Sequence, residues 1–148
     1  MLVAFEPAAL AHILRVHTAR IAVRVPDARV ELTGSASVGG LDAQDVDLVV
    51  VTDDVGRVAD ALARSYAQLY PEQWSGDWAA FRDAGPPQVD VVVTSPGSTG
   101  DLHHRAAWEL IAARQDLQDE YRRLKAHLAR GYPERKARFF ERVVAELT

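Results

Sequence analysis

Gly34-Ser35-Ala36-Ser37-Val38-Gly39-Gly40-Leu41-Asp42-Ala43-Gln44-Asp45-Val46-Asp47-Leu48-Val49-Val50-Val51 is the stretch from which the rest of this sequence is read. Its first seven residues are too small and too glycine-rich for a regular helix or strand. They predict a tight loop, or a loop entering one helical turn. Val46 to Val51 is a β-branched run of the kind that fills a buried strand. Val30-Glu31-Leu32-Thr33, just upstream, alternates as a short strand of its own. Asp45 and Asp47 flank Val46 at the start of the valine run, and residues two apart on a strand point to the same side. Side-by-side carboxylates repel and are poor strand formers, so something must compensate for them. A divalent cation is the natural candidate.

Outward from this stretch, the apolar spacing of Leu10, Ile13, Leu14, His17 and Ile21 fits one helix face that ends before Pro26. Asp53 or Asp54 can cap a helix whose face is Val55, Val58, Ala59, Leu62, Tyr66 and Leu69. Pro71 to Pro87 is rich in Pro, Gly and Trp, with a short strand expected near Trp78–Arg82 and a turn at Gly85-Pro86-Pro87. Val89 to Thr94 is a second buried-type strand, and it carries Asp90 between two valines. From about Asp101 the pattern is helical. Trp108 and Ile111 mark one helix, and Leu117, Tyr121, Leu124 and Leu128 a second, broken at Gly131 and Pro133. Phe139, Phe140, Val143, Val144 and Leu147 mark the last. A small mixed sheet over about 28–96, followed by packed helices over about 101–148, is an α+β plan.

The 148 residues suit one compact domain over 1–148. They include no run of the roughly 18 to 20 apolar residues that a membrane span needs. The opening Met-Leu-Val-Ala-Phe-Glu has no basic flank and no small-residue cleavage site, so no secretory leader is expected. The chain has no cysteine, which excludes disulfide scaffolds, thiolate zinc sites and cysteine nucleophiles. A reducing cytoplasm is the expected setting. The net charge of −4 is unevenly spread: residues 1–100 carry 7 basic and 13 acidic side chains (−6), residues 101–148 carry 10 and 8 (+2). An extended nucleic acid would call for a stronger basic excess. The pattern suits smaller partners, with metal ions on the acidic side and phosphates on the basic side.

The chemistry gathers around three aspartates. If Asp90 faces the same way as Asp45 and Asp47, the three make an all-oxygen site of hard ligands, suited to Mg²⁺ or Mn²⁺. Gly34 lets a ligand approach the backbone, and Ser35 offers both an N–H and a hydroxyl to a phosphate oxygen. A phosphate cradle beside a carboxylate pair is what two-metal phosphoryl or nucleotidyl transfer requires.

This arrangement resembles the polymerase-β-type nucleotidyltransferase superfamily, whose signature is Gly-Ser or Gly-Gly, a spacer, Asp-x-Asp, and a third acid on a later strand. The resemblance implies that Asp45 and Asp47 hold the metals, that Asp90 helps activate the acceptor, and that Gly34 and Ser35 contact phosphate. Gly34-Ser-Ala-Ser-Val-Gly-Gly-Leu41 is further similar to the Gly-Ser-Thr-Ser-Val-Pro-Gly-Leu loop of the GrpB-like branch. The tail Asp119-Glu-Tyr121-x-x-Leu124-Lys125-x-x-Leu128-Ala129, then Tyr132-x-x-x-Lys136-x-x-Phe139, matches it too. The sequence departs from that branch in four places. Gly39 replaces the usual proline, the Asp-Val-Asp segment is one residue short, Asp90 stands where histidines are usual, and Arg105-Ala-Ala-Trp108-Glu-Leu replaces Phe-Arg-Asp-Tyr-Leu-Arg.

Several residues carry a functional and a structural reading side by side. Lys125 and Lys136 border apolar helix faces; each can lean into a cleft to meet a triphosphate or simply edge its helix. Arg82 can clamp a phosphate bidentately or sit in a salt bridge. His103 and His104 are adjacent and cannot share a helix face, which argues against a metal pair. His17 reads as a packed histidine, and Trp74, Trp78 and Trp108 as core or lid aromatics. The expected activity is Mg²⁺- or Mn²⁺-dependent transfer of a nucleoside monophosphate from an NTP to a small-molecule, RNA-end or protein acceptor. The alternatives are a nucleotide or phosphometabolite binding module without turnover, and the nucleotidyltransferase half of a toxin–antitoxin pair.

Overall fold

The valine-rich segments become inner strands of a five-stranded sheet in the computed structural model of the chain, which describes residues 4–128 and 130–147. Met1 to Val3 of the opening segment and Ala129 of the tail pattern lie outside the described residues. The strands are β1 (Val30–Thr33), β2 (Val46–Val51), β3 (Ala67–Leu69), β4 (Trp78–Asp83) and β5 (Val89–Thr94), in the order β1-β2-β5-β4-β3. β2 and β5 run parallel and every other pair is antiparallel, so the sheet is mixed and the class α+β.

Successive strand residues point to opposite faces, and the two faces of this sheet differ in kind. Leu48, Val50, Phe81, Val91 and Val93 face one side and pack against Ile21 and Val25 and against Val55, Val58 and Leu62. Ile21 lies on α1 (Pro7–Ala22), and the last three lie on α2 (Val55–Leu62). Asp54 caps α2 by accepting the Arg57 N–H at 3.1 Å. On the opposite side, Thr33, Asp47, Asp90 and Arg82 stand in register as one polar row across β1, β2, β5 and β4.

The C-terminal helices build a second core. They are α3 (Thr99–Asp101), a π-helical turn (Leu102–Ala106), α4 (Ala107–Ala113), α5 (Gln115–Ala126) and α6 (Tyr132–Glu146). Trp108, Tyr121, Phe139 and Phe140 pack there, with edge-on pairs at 5.1 Å (Trp108–Tyr121) and 5.2 Å (Phe139–Phe140). Val38 and Leu41 of the Gly34–Leu41 loop insert into this cluster, while Ala36 belongs to the sheet core. The loop is thereby pinned between the two cores.

The structure corrects three expectations. The helix expected to reach Leu69 stops at Leu62; Tyr66 is buried, and Ala67–Leu69 pairs with β4 as an edge strand. Helical periodicity in that segment is overridden by pairing with residues far along the chain. The strand expected at Trp78–Arg82 extends to Asp83. Leu128, expected on the face of Leu117, Tyr121 and Leu124, lies past the end of α5 and is 61% exposed. No helix of the described residues is long and apolar enough to cross a membrane.

Candidate active site

Gly34 closes β1 with φ +72°, a conformation that a side chain disfavours. A Cβ there would stand 2.3 Å from Asp47 Oδ2, so glycine is required by close approach as well as by backbone. The chain turns at once into a short 3₁₀ segment, Ser35–Ser37, where the Ser37 hydroxyl donates to the Gly34 carbonyl at 2.6 Å. Arg122 of α5 donates to the Gly40 carbonyl at 3.3 Å and ties the far end of the loop to the helical core.

Asp45 sits one residue before β2, not on it, and its Oδ2 accepts from Gln88 Nε2 at 3.0 Å. Asp47 is the second residue of β2, directly across from Asp90 on β5. All three aspartates line one cleft of about 1110 Å³, together with Gly34, Ser35, Lys125 and Lys136. That volume is enough for a nucleotide. Asp90 therefore faces the same side as Asp47. Its carboxylate is engaged, however: Arg82 Nε donates to Oδ1 at 2.8 Å and Nη2 to Oδ2 at 3.1 Å. Of the two readings of Arg82, the structure has the salt bridge.

Burial pushes Asp47 up to about 7, with repulsion from Asp45 and Asp90 adding to it and the charges of Lys136 and Arg82 opposing it. Crowded, poorly solvated carboxylates of this kind are what a bound cation would relieve. Asp45 and Asp47 fit a single hard divalent ion whose remaining ligands would be phosphate oxygens and water. Where three equivalent carboxylates were expected, Asp90 is held by Arg82 through both oxygens and Asp45 by Gln88 through Oδ2. Among the described residues, no three His, Asp or Glu side chains are grouped to hold a metal.

The basic side of the cleft comes from α5 and α6. Lys125 is half-buried, with Nζ 5.8 Å from the Tyr121 ring centroid and 5.9 Å from that of Tyr132. Lys136 is exposed at the rim, and its charge is felt at both Asp47 and His104. Burial raises the Tyr121 hydroxyl well above its ordinary value, while a hydrogen bond with Ser35 acts in the opposite direction.

Sequence reasoning gave His103 and His104 no role in the site, yet both line the cleft. They lie in the π-helical turn, whose wider winding brings adjacent side chains closer in direction than an α-helix does. Burial, helped by the charges of His103 and Lys136, lowers His104 to about 4, so it is a neutral imidazole at pH 7. Its ring lies 6.2 Å from that of Trp78, and its carbonyl accepts from the Thr33 hydroxyl at the end of the polar row. No sequence pattern announces a π-turn.

Known proteins share this scaffold. The family model described as GrpB protein matches residues 5–146. The crystal structure of the conserved protein GrpB from Enterococcus faecalis superposes with a TM-score of 0.77 at 19% identity, covering 99% of this chain and 96% of that one. A crystal structure of the Cid1 poly(U) polymerase with MgGTP bound superposes at 0.50 with 14% identity, covering 77% of this chain and 39% of the polymerase. No curated protein gives a significant sequence match.

Proposed function

This chain belongs to the GrpB family, and from that premise we propose that it binds a nucleoside triphosphate with Mg²⁺ and transfers its nucleoside monophosphate to an acceptor hydroxyl or phosphate. One observation carries the reading. Asp45 and Asp47 share a nucleotide-sized cleft with a glycine-opened loop and with two lysines on the facing helices. The fold shared with the Cid1 poly(U) polymerase supports it, since that structure has MgGTP bound.

In this reading Gly34 leaves the backbone open to a phosphate oxygen and Ser35 donates to it. Lys125 and Lys136 balance the triphosphate charge as point cations. Asp45 and Asp47 would hold the divalent ion, and the chemistry it would supply when bound is neutralisation of phosphate charge as pyrophosphate departs. The acceptor oxygen bonds to the α-phosphorus, and the bond from that phosphorus to the bridging oxygen breaks. Pyrophosphate leaves, and the acceptor proton passes to a carboxylate of the cleft or to water.

Incubation of α-labelled ATP, GTP, CTP and UTP with Mg²⁺ and cell extract tests this. The native chain should label a product, and Asp45→Asn and Asp47→Asn should each lower the yield at least 100-fold. No labelled product from any NTP would remove the catalytic claim. The commitment of Asp90 to Arg82 favours a second reading, a nucleotide or phosphometabolite binder without turnover. A thermal shift with NTP and Mg²⁺, at ~100 times the dissociation constant worth about 2.7 kcal/mol, but without labelled product would select it.

A further inference from the structure

One row further along the strands from Asp47 and Asp90, the same sheet face carries Val92, Ala80 and Leu69 in register across β5, β4 and β3. All three line the cleft. They lie about 7 Å from the acidic row, the ordinary rise of two strand residues. Ala80 is the smallest of them and keeps the middle of this apolar floor low. Trp78, two residues from Ala80 on β4 and on the same face, stands at one end of the floor. Tyr70, directly after Leu69, is 50% exposed at the cleft and holds a left-handed φ of +50°, which a bulky residue rarely adopts. The ring of His104, another cleft residue, lies 6.2 Å from that of Trp78. Neither of its nitrogens has a hydrogen-bond partner among the described residues. A half-buried neutral imidazole presents one donor and one acceptor, and leaving both unmade is costly. Asp77 adds a negative charge at this end of the cleft, which repels a phosphate and tolerates an uncharged ring.

We infer that the acceptor carries an uncharged planar heteroaromatic ring, joined to the reacting hydroxyl as in a nucleoside. The ring lies on the Val92–Ala80–Leu69 floor beside Trp78, with its edge hydrogen-bonded to His104. This inference rests on the transfer reading above and names the acceptor class for it. Gly34 and Ser35, assigned to phosphate, follow Thr33, which pairs with Asp47 from the β1 side. The floor extends the other way, through β5 and β4 to β3. In phosphoryl transfer the attacking and leaving oxygens lie roughly in line, so the acceptor enters from the side away from the departing pyrophosphate. The floor occupies that side. Apolar and aromatic surfaces take a ring by stacking and by area removed from water, and a plain sugar leaves them uncovered. A free nucleoside also lacks the phosphodiester charges that Asp77 and the net charge of −4 repel. Its hydroxyl oxygen bonds to the α-phosphorus, its proton passes to a cleft carboxylate or to water, and pyrophosphate departs.

Equilibrium dialysis of the full chain against labelled adenosine, guanosine, cytidine and uridine, with ribose as competitor, reads this subsite without any transfer. At least one nucleoside should bind, and ribose should not displace it. His104→Phe keeps a ring against Trp78 and removes both nitrogens; it should weaken nucleoside binding about tenfold. Tyr70→Ala, at an exposed position outside the core, should weaken it about threefold. Both variants should bind NTP with Mg²⁺ as the native chain does. Adding the bound nucleoside to the α-labelled NTP incubation should give a labelled product that Asp47→Asn removes. Unchanged nucleoside affinity in both variants overturns the subsite. If both weaken NTP binding as much as nucleoside binding, the floor takes the base of the NTP and the acceptor assignment is overturned. If no nucleoside binds while cell extract still yields an Asp47-dependent product, the acceptor is of another chemistry and the transfer reading survives. Nucleoside binding that His104→Phe weakens, with no product from any NTP, overturns the acceptor role together with the transfer.

Discussion

The two faces of the central sheet come from the same strands and obey opposite rules. On the face covered by α1 and α2, Leu48, Val50, Phe81, Val91 and Val93 are 2% exposed or less and entirely apolar. One residue along each strand, the other face carries Thr33, Asp47, Asp90 and Arg82 in a single row. The alternation of strand side chains lets one segment hold the fold together and hold charges in an unfavourable arrangement at once. Each face is held in its own way. The apolar face is secured by area removed from water. The polar face is held in place because its neighbours on the strand are fixed from behind. Strain of this kind persists only where surrounding structure determines it.

The largest expected effect comes from breaking the apolar face. Phe81→Ala removes a fully buried ring that packs 5.0 Å from the Trp74 ring and 6.5 Å from that of Tyr66. It should cost about 3–5 kcal/mol of unfolding free energy, read from the urea midpoint. Asp47→Asn, two strands away on the other face, should not destabilise the fold at pH 8, because it removes a repelled charge.

The next effect sharpens the contrast through pH. Asp47 titrates near 7 in the folded chain against 3.8 ordinarily, so between those values the folded state holds a proton that the unfolded chain has lost. Acidification through that window therefore stabilises the fold. His104 titrates near 4 against 6.5, so between those values the unfolded chain holds the extra proton and acidification destabilises. Burial lowers His17 in the same sense. The windows overlap from about pH 4 to 6.5, and each shift is worth on the order of 1.4 kcal/mol per pH unit. Asp47 opposes the two histidines there, so relative to the native chain Asp47→Asn should lose more stability on acidification and His104→Gln less, measured as urea midpoints at pH 4.5, 5.5 and 6.5. An Asp47→Asn profile that parallels the native one would show that the cleft carboxylates are not strained.

Smaller effects test how the polar row is held. Gly34→Ala forces a side chain into positive φ and against Asp47 Oδ2, and should cost about 1–2 kcal/mol by thermal melting. It should also abolish any nucleotide-induced stabilisation. Asp54→Ala, which uncaps α2 on the apolar face, should cost about 1 kcal/mol and leave ligand-induced shifts unchanged.

Much of this molecule is legible in its amino-acid sequence. The valine runs, a cap at Asp53 or Asp54 and the apolar face from Val55 to Leu62 follow from local patterns; the strands and helix are present, and Asp54 is the cap. The Gly34-Ser35 loop and Asp45-Val46-Asp47 are readable because their spacing depends on only a few consecutive bonds. The Arg82–Asp90 pair is readable in principle as well. A hairpin turning at Pro86 sets Arg82 opposite Asp90, four residues to either side, and Gly85-Pro86-Pro87 marks that turn. An acid on a strand has a cross-strand partner as well as a possible ligand, and here the partner is an arginine. β3 escapes local reading because its pairing is non-local, and His103 and His104 escape it because a π-turn changes helical geometry without a composition cue.

The sequence by itself determined four of the five strands, where the loop must be glycine, and that two aspartates stand two residues apart at the head of a valine run. Those properties are decided by sterics and periodicity within a few residues. Only the tertiary structure decided that Arg82 holds Asp90 and Gln88 holds Asp45, and that two histidines and two lysines meet them across one cleft. Charge partners and solvation are set by whatever side chain arrives from another strand or helix, and no local pattern encodes that arrival.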